Sequence, residues 1–317
     1  MLKYLIIPLA STATSFCCYP SSQLDEEWIN VDTLKKGILW ALKENLSVQF
    51  VYPKGSLPPE IKDEINTIDH VSIMSASSFD KQALQGVDIV VFDSPAEMGQ
   101  YSFLTDQSYV VRSSFKELTA AAGIIKSALS DVDRLNIVIS DIEEIDDALL
   151  NDYQEFLNGL IPGIVEEYKR GHNVQLNLLT DRLMLESMNN CNAGSESITL
   201  APDGNFYICP AFYVDGHSPI GNIDSGIEIK NPQLFNLSHA PICRICDAYH
   251  CKRCVWMNQK LSREINTPGR QQCLISHIER NASQELLKEF HKIDPGFMAN
   301  VNIPEIDYLD PFDKLTH

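Results

Sequence analysis

The sequence predicts an α/β protein: a domain of alternating strands and helices, followed by a small cysteine-rich domain. Two observations carry that prediction. Residues 1–190 alternate apolar runs with helical periodicity, and beyond Asn189 the text changes to short strands, turns and clustered cysteines. With 317 residues and 44% hydrophobic side chains, the chain can build a sizeable core in one large domain or two ordinary ones. The boundaries read as 1–190, 191–290 and a C-terminal tail, 291–317.

Strand-like runs fall at Leu2–Leu9, Val48–Tyr52, Val71–Met74, Val87–Phe92, Tyr109–Arg112, Leu135–Ser140 and Val174–Leu179. Leu34, Ile38, Leu39, Leu42 and Leu46 recur at helical spacing, as do Phe115, Leu118, Ala122, Ile125 and Leu129. Tyr153, Phe156, Leu157, Leu160, Ile164 and Tyr168 form a third helical set. Near-continuous apolar strands alternating with helices mean a mainly parallel sheet, as a partial barrel or an open doubly wound sheet. The stretch MLKYLIIPLA carries a lysine and an apolar run ahead of Cys17, as a lipoprotein signal would. Its run is short, however, and Phe16 is bulky where a small residue should precede the cysteine, so we read a first strand.

In the second domain, Ile198 and Leu200 alternate in one strand and Phe206 and Ile208 in the next. Pro202, Asp203, Gly204 and Asn205 make the turn, with Gly204 free to take positive φ. This hairpin would bring Cys191 and Cys209 to one end. Ser283–His291 reads as a helix, and the tail after Pro295 is acidic, contains prolines and is expected to wrap loosely.

The net charge is -18, from 25 basic and 43 acidic side chains. A nucleic-acid partner is not expected, because phosphate binding needs a basic face. No run of about eighteen apolar residues exists, so no membrane span is expected either. Within 241–280, however, seven basic residues (Arg244, Lys252, Arg253, Lys260, Arg263, Arg270, Arg280) face three acidic ones, around five of the nine cysteines. Cationic neighbours lower thiol pKa and offset the charge of a thiolate-bound centre.

Seven cysteines fall between 191 and 273. Cys191 is followed by twelve residues, Gly204, four residues and Cys209; then come Cys243-x2-Cys246-x4-Cys251-x2-Cys254 and a final Cys273. Two-residue spacing lets both thiolates of a tight knuckle meet one metal while backbone N–H groups point at the sulfurs. Clustered pairs in a long chain read as metal ligands in a reducing cytoplasm rather than as a secreted disulfide scaffold. Cys243, Cys246, Cys251 and Cys254 alone would satisfy one zinc. Seven thiolates instead suit one four-cysteine and one three-cysteine iron–sulfur cluster. An eighth ligand for the latter would come from His217, His239, Asp247, His250 or a substrate thiolate.

The pattern C-x(12)-G-x(4)-C, a four-cysteine group and a last cysteine resembles the SPASM domain, as do APDGNFYICPAFY and Gly221–Ile223. SPASM domains follow radical S-adenosylmethionine barrels and hold auxiliary [4Fe–4S] clusters. The resemblance implies that Cys191, Cys209 and Cys254 serve one cluster, and Cys243, Cys246, Cys251 and Cys273 the other. The central group is tighter than is usual in that family, which keeps zinc as an alternative. A radical S-adenosylmethionine enzyme also needs CxxxCxxC after its first strand. Here that place holds only Cys17 and Cys18, so the N-terminal domain reads as a degenerate, partial (β/α)-barrel relative, and use of S-adenosylmethionine is in doubt.

From the first strand to about residue 290 the chain resembles the CXXX repeat peptide maturases. The likeness includes KKGILWALKENLSVQFVYP, RLNIVISDIEE, QLNLLTDRLML and APICRICDAYHCKRCVW. It implies maturation of a ribosomally made peptide with regularly spaced cysteines. The alternative is a non-catalytic adaptor that hands the peptide to a separate modifying protein and carries structural iron–sulfur or zinc sites. No catalytic residue is assigned. Asp141 and Glu143 follow one expected strand and Asp181 and Arg182 another, where an α/β barrel places its chemistry. The acidic run from Asp131 to Asp147 reads as a solvated face. Cys17 and Cys18 read as relic or inert thiols, His250 as a surface histidine and Trp256 as packing beside the metal. No Walker loop, GxGxxG, GxSxG or HExxH is present.

Overall fold

A computed structural model describes residues 2–78 and 84–303. Residues 304–317 of the expected loose tail lie outside the described residues. In chain order the elements open with β1 (Tyr4–Pro8), α1 (Val31–Lys43), β2 (Ser47–Val51), α2 (Pro59–Ile65), β3 (Val71–Ser75) and β4 (Ile89–Phe92). There follow α3 (Pro95–Met98), β5 (Ser108–Ser113), α4 (Phe115–Ala120), α5 (Ala122–Ala128), β6 (Arg134–Ile139), α6 (Asp147–Lys169), β7 (Gln175–Leu176) and α7 (Asp181–Met184). The rest are β8 (Ser197–Leu200), β9 (Phe206–Tyr207), α8 (Pro210–Val214), β10 (Gly221–Asn222), β11 (Gly226–Ile227), α9 (Val255–Ser262) and α10 (Arg270–Ile293). The fold class is α/β, as the alternation predicts. Among the described residues, no helix is long and apolar enough to cross a membrane.

Contacts divide the chain into two compact units, Met1–Phe92 with Cys191–His239, and Asp93–Asn190 with Ala240–His317. In the first unit, β1 lies between β2 and β8, parallel to both, with Leu5 opposite Val48 on one side and Ile198 on the other. β3 and β4 extend the parallel set beyond β2, and β9 closes the other side as the antiparallel arm of a hairpin. Leu5, Ile7, Phe50, Ile198, Leu200 and Phe206 build the core together with Leu34 and Ile38 of α1. Asn30 starts α1 by accepting the Asp32 N–H at 2.9 Å.

The buried face of α1 differs from the expected one. It consists of Leu34, Gly37, Ile38 and Ala41, whereas Leu39 is 65% and Leu42 57% exposed. A Cβ at Gly37 would sit 2.5 Å from Leu200 Cδ2, so the small residue is what lets the helix approach the sheet. Leu46 is buried, but beyond the end of the helix.

In the second unit β5, β6 and β7 are parallel, with Tyr109 opposite Leu135 and Leu135 opposite Leu176. The strand expected over Val174–Leu179 contracts to two residues for a visible reason. The Asn177 amide takes over the ladder, accepting the Ile137 N–H at 2.9 Å and donating to the Ile137 carbonyl at 3.0 Å. The Phe115–Leu129 periodicity resolves into two helices that meet at Ala121, the first held by a Ser114–Glu117 capping box. The helix expected at Ser283–His291 begins at Arg270. Its first half buries the polar Gln272, Ser276, His277, Glu279 and Arg280 alongside Leu274 and Ile275, an apolar pair that the sequence reading passed over.

Candidate metal centre

Five of the seven cysteines read as ligands lie in the second unit, and local backbone orients each of them. A 3-10 turn, Cys243–Ile245, folds the first pair, with the Cys246 N–H donating to the Cys243 carbonyl at 3.2 Å. The Cys246 sulfur accepts the Ala248 N–H at 3.4 Å, a knuckle of the kind that two-residue spacing predicts. The Cys251 N–H donates to the Ala248 carbonyl at 2.8 Å, closing the next turn. Cys254 caps α9 by accepting the Met257 N–H on its sulfur at 3.4 Å, and Cys273 stands in the first turn of α10.

Four of these thiols sense one another. Burial pushes Cys243 up to about 11, against the pull of the Arg253 guanidinium, and Cys246 adds to the rise. Burial pushes Cys273 up to about 12, with Cys243 and Cys246 adding to it. Cys251 is pushed up too, first by burial, against a hydrogen bond from Ser276, and then by Cys246, Cys243 and Cys273. Coulombic coupling of this kind requires short separations. The Ser276 hydroxyl, 3.3 Å from the Cys251 sulfur, and the His277 ring, 3.5 Å from the Cys246 sulfur, bring those two cysteines to the part of α10 that carries Cys273, and the 3-10 turn ties Cys243 to Cys246.

Burial disfavours the charged thiolate at Cys243, Cys251 and Cys273. A bound cation deprotonates a coordinating thiol outright, so metal and thiolates stabilise each other. The all-sulfur donor set, with a backbone N–H on Cys246 and the buried Arg253 beside Cys243, fits a thiolate-held zinc or iron–sulfur cluster.

Around the thiols lies a buried polar network. Arg280, fully buried, donates to Asp247 Oδ1 at 2.8 Å; Arg182 approaches Asp247 Oδ2 at 3.9 Å and stacks 4.3 Å over the Tyr249 ring. His250 is buried rather than on the surface, with its Nε2 3.1 Å from Glu279 Oε2, and Tyr153 donates to Glu279 Oε1 at 2.6 Å. Trp256 is 2% exposed, with the Lys260 ammonium 5.3 Å from its ring centroid. One group went unnoticed in the sequence. A ring nitrogen of His277, a carboxylate oxygen of Asp247 and the Cys246 sulfur all lie within 4.8 Å of one another. The available cue was that His277 follows Cys273 by one helical turn.

The other candidates have local partners. Asp181 forms a bidentate pair with Arg134, at 2.6 and 2.8 Å. Asp141 accepts the Phe115 N–H at 2.9 Å, and Glu143 pairs with Lys260 at 2.5 Å. In the first unit, His217 lies 3.5 Å from Asp215, and His239 lies 3.1 Å from the Ser238 hydroxyl. Cys17 and Cys18 follow β1 with their sulfurs 4.0 Å apart. Gly204 takes φ +78° at the hairpin turn. The Ser197 hydroxyl donates to the Cys191 carbonyl at 2.9 Å, and Cys209 is the N-cap residue of α8, two residues past β9.

No family model matches the chain, and no curated protein does. Among solved structures, anSMEcpe with bound AdoMet aligns at a TM-score of 0.67 and 15% identity, over 95% of this chain and 98% of that one. Native anSMEcpe with bound AdoMet and the Cp18Cys peptide aligns at 0.60 and 15% identity, over 95% and 99%. At this identity the likeness speaks for architecture alone: the chain shares the fold of anSMEcpe over nearly its whole length.

Proposed function

We propose that this protein takes part in maturing a ribosomally made cysteine-repeat peptide, and that its second unit holds an auxiliary iron–sulfur cluster on Cys243, Cys246, Cys251 and Cys273. The observation that carries this reading is the convergence of Cys246 and Cys251 on the start of α10, which itself carries Cys273, with Cys243 one 3-10 turn before Cys246. Supporting the peptide half is the similarity to anSMEcpe, a structure of which holds the Cp18Cys peptide. The resemblance to CXXX repeat peptide maturases names the substrate class. It also assigns Cys191, Cys209 and Cys254 to a second cluster, one cysteine short of a full set.

When bound, such clusters supply electrons, or an iron able to take a substrate thiolate. The chain's own residues hold and orient the sulfurs. The Ala248 N–H fixes Cys246, the Met257 N–H fixes Cys254, and Arg253 counters negative charge at Cys243. Two adjacent cysteines after β1 do not make the three-thiolate cradle that S-adenosylmethionine chemistry needs. That same absence favours a second reading, in which the protein binds the peptide and presents it to a separate modifying enzyme.

The test uses protein purified without oxygen, assayed for metal and acid-labile sulfide and then incubated with a synthetic peptide of regularly spaced cysteines. Iron and sulfide with a changed peptide mass support the maturase. Tight binding without a mass change supports the adaptor. Neither binding nor mass change sinks both, and zinc without sulfide removes the clusters.

A further inference from the structure

The coupled thiols meet one face of α10. Cys273 lies in its first turn, and Ser276 and His277 follow at i+3 and i+4, the spacing that stacks side chains on one helical face. The Ser276 hydroxyl lies 3.3 Å from the Cys251 sulfur, and His277 Nε2 lies 3.5 Å from the Cys246 sulfur. Arg280 extends the stripe by one more turn and donates to Asp247, the residue after Cys246. The helix that provides one sulfur thus brings two polar groups to two others.

The two contacts differ in strength. Ser276 has one hydroxyl proton and two acceptors, the Gln272 carbonyl at 2.7 Å and the Cys251 sulfur at 3.3 Å. The shorter oxygen contact takes the larger share. An imidazole N–H has a fixed direction set by its ring, and His277 is 5% exposed, so its ring is held by packing. The Cys246 sulfur thus accepts the Ala248 N–H at 3.4 Å and lies 3.5 Å from the His277 ring nitrogen Nε2.

We propose that His277 is a positioning residue of the metal centre: its Nε2–H donates to the Cys246 thiolate, fixes that ligand, and raises the centre's reduction potential. This rests on the reading that Cys243, Cys246, Cys251 and Cys273 hold an iron–sulfur cluster. Reduction adds one electron to an already anionic centre. An N–H dipole aimed at sulfur stabilises the more negative state more, so hydrogen bonds to sulfur shift the potential upward. The electron comes from the chemical reductant of the titration, and no bond is made or broken.

The experiment compares the full-length parent protein, purified without oxygen, with His277→Leu, His277→Gln and Ser276→Ala. Iron and acid-labile sulfide are counted, and the potential is read by mediated redox titration followed by electron paramagnetic resonance. His277→Leu is expected to keep its iron and sulfide and to become harder to reduce by about tenfold in the equilibrium constant, ~59 mV for one electron. His277→Gln, which retains an N–H, recovers most of that shift, and Ser276→Ala moves the potential less, in the same direction. An unchanged potential in His277→Leu overturns the proposal. So does a loss of iron that His277→Cys restores, which would make His277 a ligand. Pulsed resonance on the reduced parent protein, grown with 15N-labelled histidine, needs no variant: a weak nitrogen coupling supports the donor, while a strong coupling or none overturns it. Zinc without sulfide in the parent protein is the separate failure of the cluster reading, visible before any variant is made.

Discussion

Among the described residues, the polar side chains buried in the first unit are all hydroxyls, such as Ser11, Thr14, Ser72, Ser75 and Thr199. The second unit buries guanidinium, carboxylate, imidazole and amide groups: Arg182, Asp247, His250, Arg253, Asn258, His277, Glu279 and Arg280. Hydroxyls can be satisfied by the nearest backbone carbonyl, as Ser11 is by Asp25 and Ser15 by Tyr19. Buried charges need designed partners, because each one left alone costs several kcal/mol. A unit that places so many of them around four thiols has an interior suited to an anionic metal centre. The first unit follows the ordinary rule of a sheet sealed by apolar side chains.

The sharpest way to break this contrast is to remove sulfur from each unit in turn. Cys251→Ala should lose one cluster's complement, about four irons and four sulfides per chain, and the second unit should lose protection in hydrogen exchange. Cys17→Ser with Cys18→Ser should lose neither, since two adjacent cysteines do not make a three-thiolate cradle. Metal analysis of the anaerobic proteins decides it. Equal loss from both would mean that the thiols after β1 hold metal as well, and their reading as relic or inert would fall.

The next largest effect is expected at the buried ion pair. Arg280 is 0% and Asp247 2% exposed, joined at 2.8 Å, so Arg280→Met should destabilise the second unit by about 3–5 kcal/mol. Asp247→Leu should cost at least as much, because it strands both Arg280 and Arg182. A double-mutant cycle by denaturant titration should show a coupling of about 0.5–3 kcal/mol. Additive losses would mean that the pair is bystander chemistry, and that the second unit is stabilised by its apolar contacts alone.

The contrast also explains what was legible in the sequence. The first unit's strands β1, β2, β3 and β4 all fall within or beside expected apolar runs, because apolar periodicity is the signal such cores emit. The cysteine spacing was legible for a chemical reason, since thiols clustered in pairs have few other uses. The role of His277 was not, because Gln272, Ser276 and His277 are polar residues that are nonetheless buried, and the start of α10 was passed over although Leu274, Ile275 and Ala282 recur there at helical spacing. Periodicity counts such polar residues as exposed. Asn177 hid in the same way, as an amide that ends a strand by imitating its neighbour's backbone.

The smallest predicted effect tests the apolar side of the contrast, on α1. Sequence periodicity gave Ile38 and Leu39 equal standing as core residues, yet Ile38 is 3% exposed and Leu39 65%. Neighbours on a helix point about 100° apart, so only one of two adjacent residues can face a sheet squarely. The choice is made by Gly37 and Ala41, whose small side chains allow close approach on the face they share with Leu34 and Ile38. Ile38→Ala should therefore cost about 2–5 kcal/mol, by removing buried methyl groups and leaving a cavity against the sheet. Leu39→Gln should change stability by less than about 0.5 kcal/mol. The two variants differ by one position in the chain, and thermal or denaturant unfolding of the purified protein separates them. A large loss from Leu39→Gln would mean that the exposed leucine is covered in solution, and the buried face of α1 would have to be reassigned to include it.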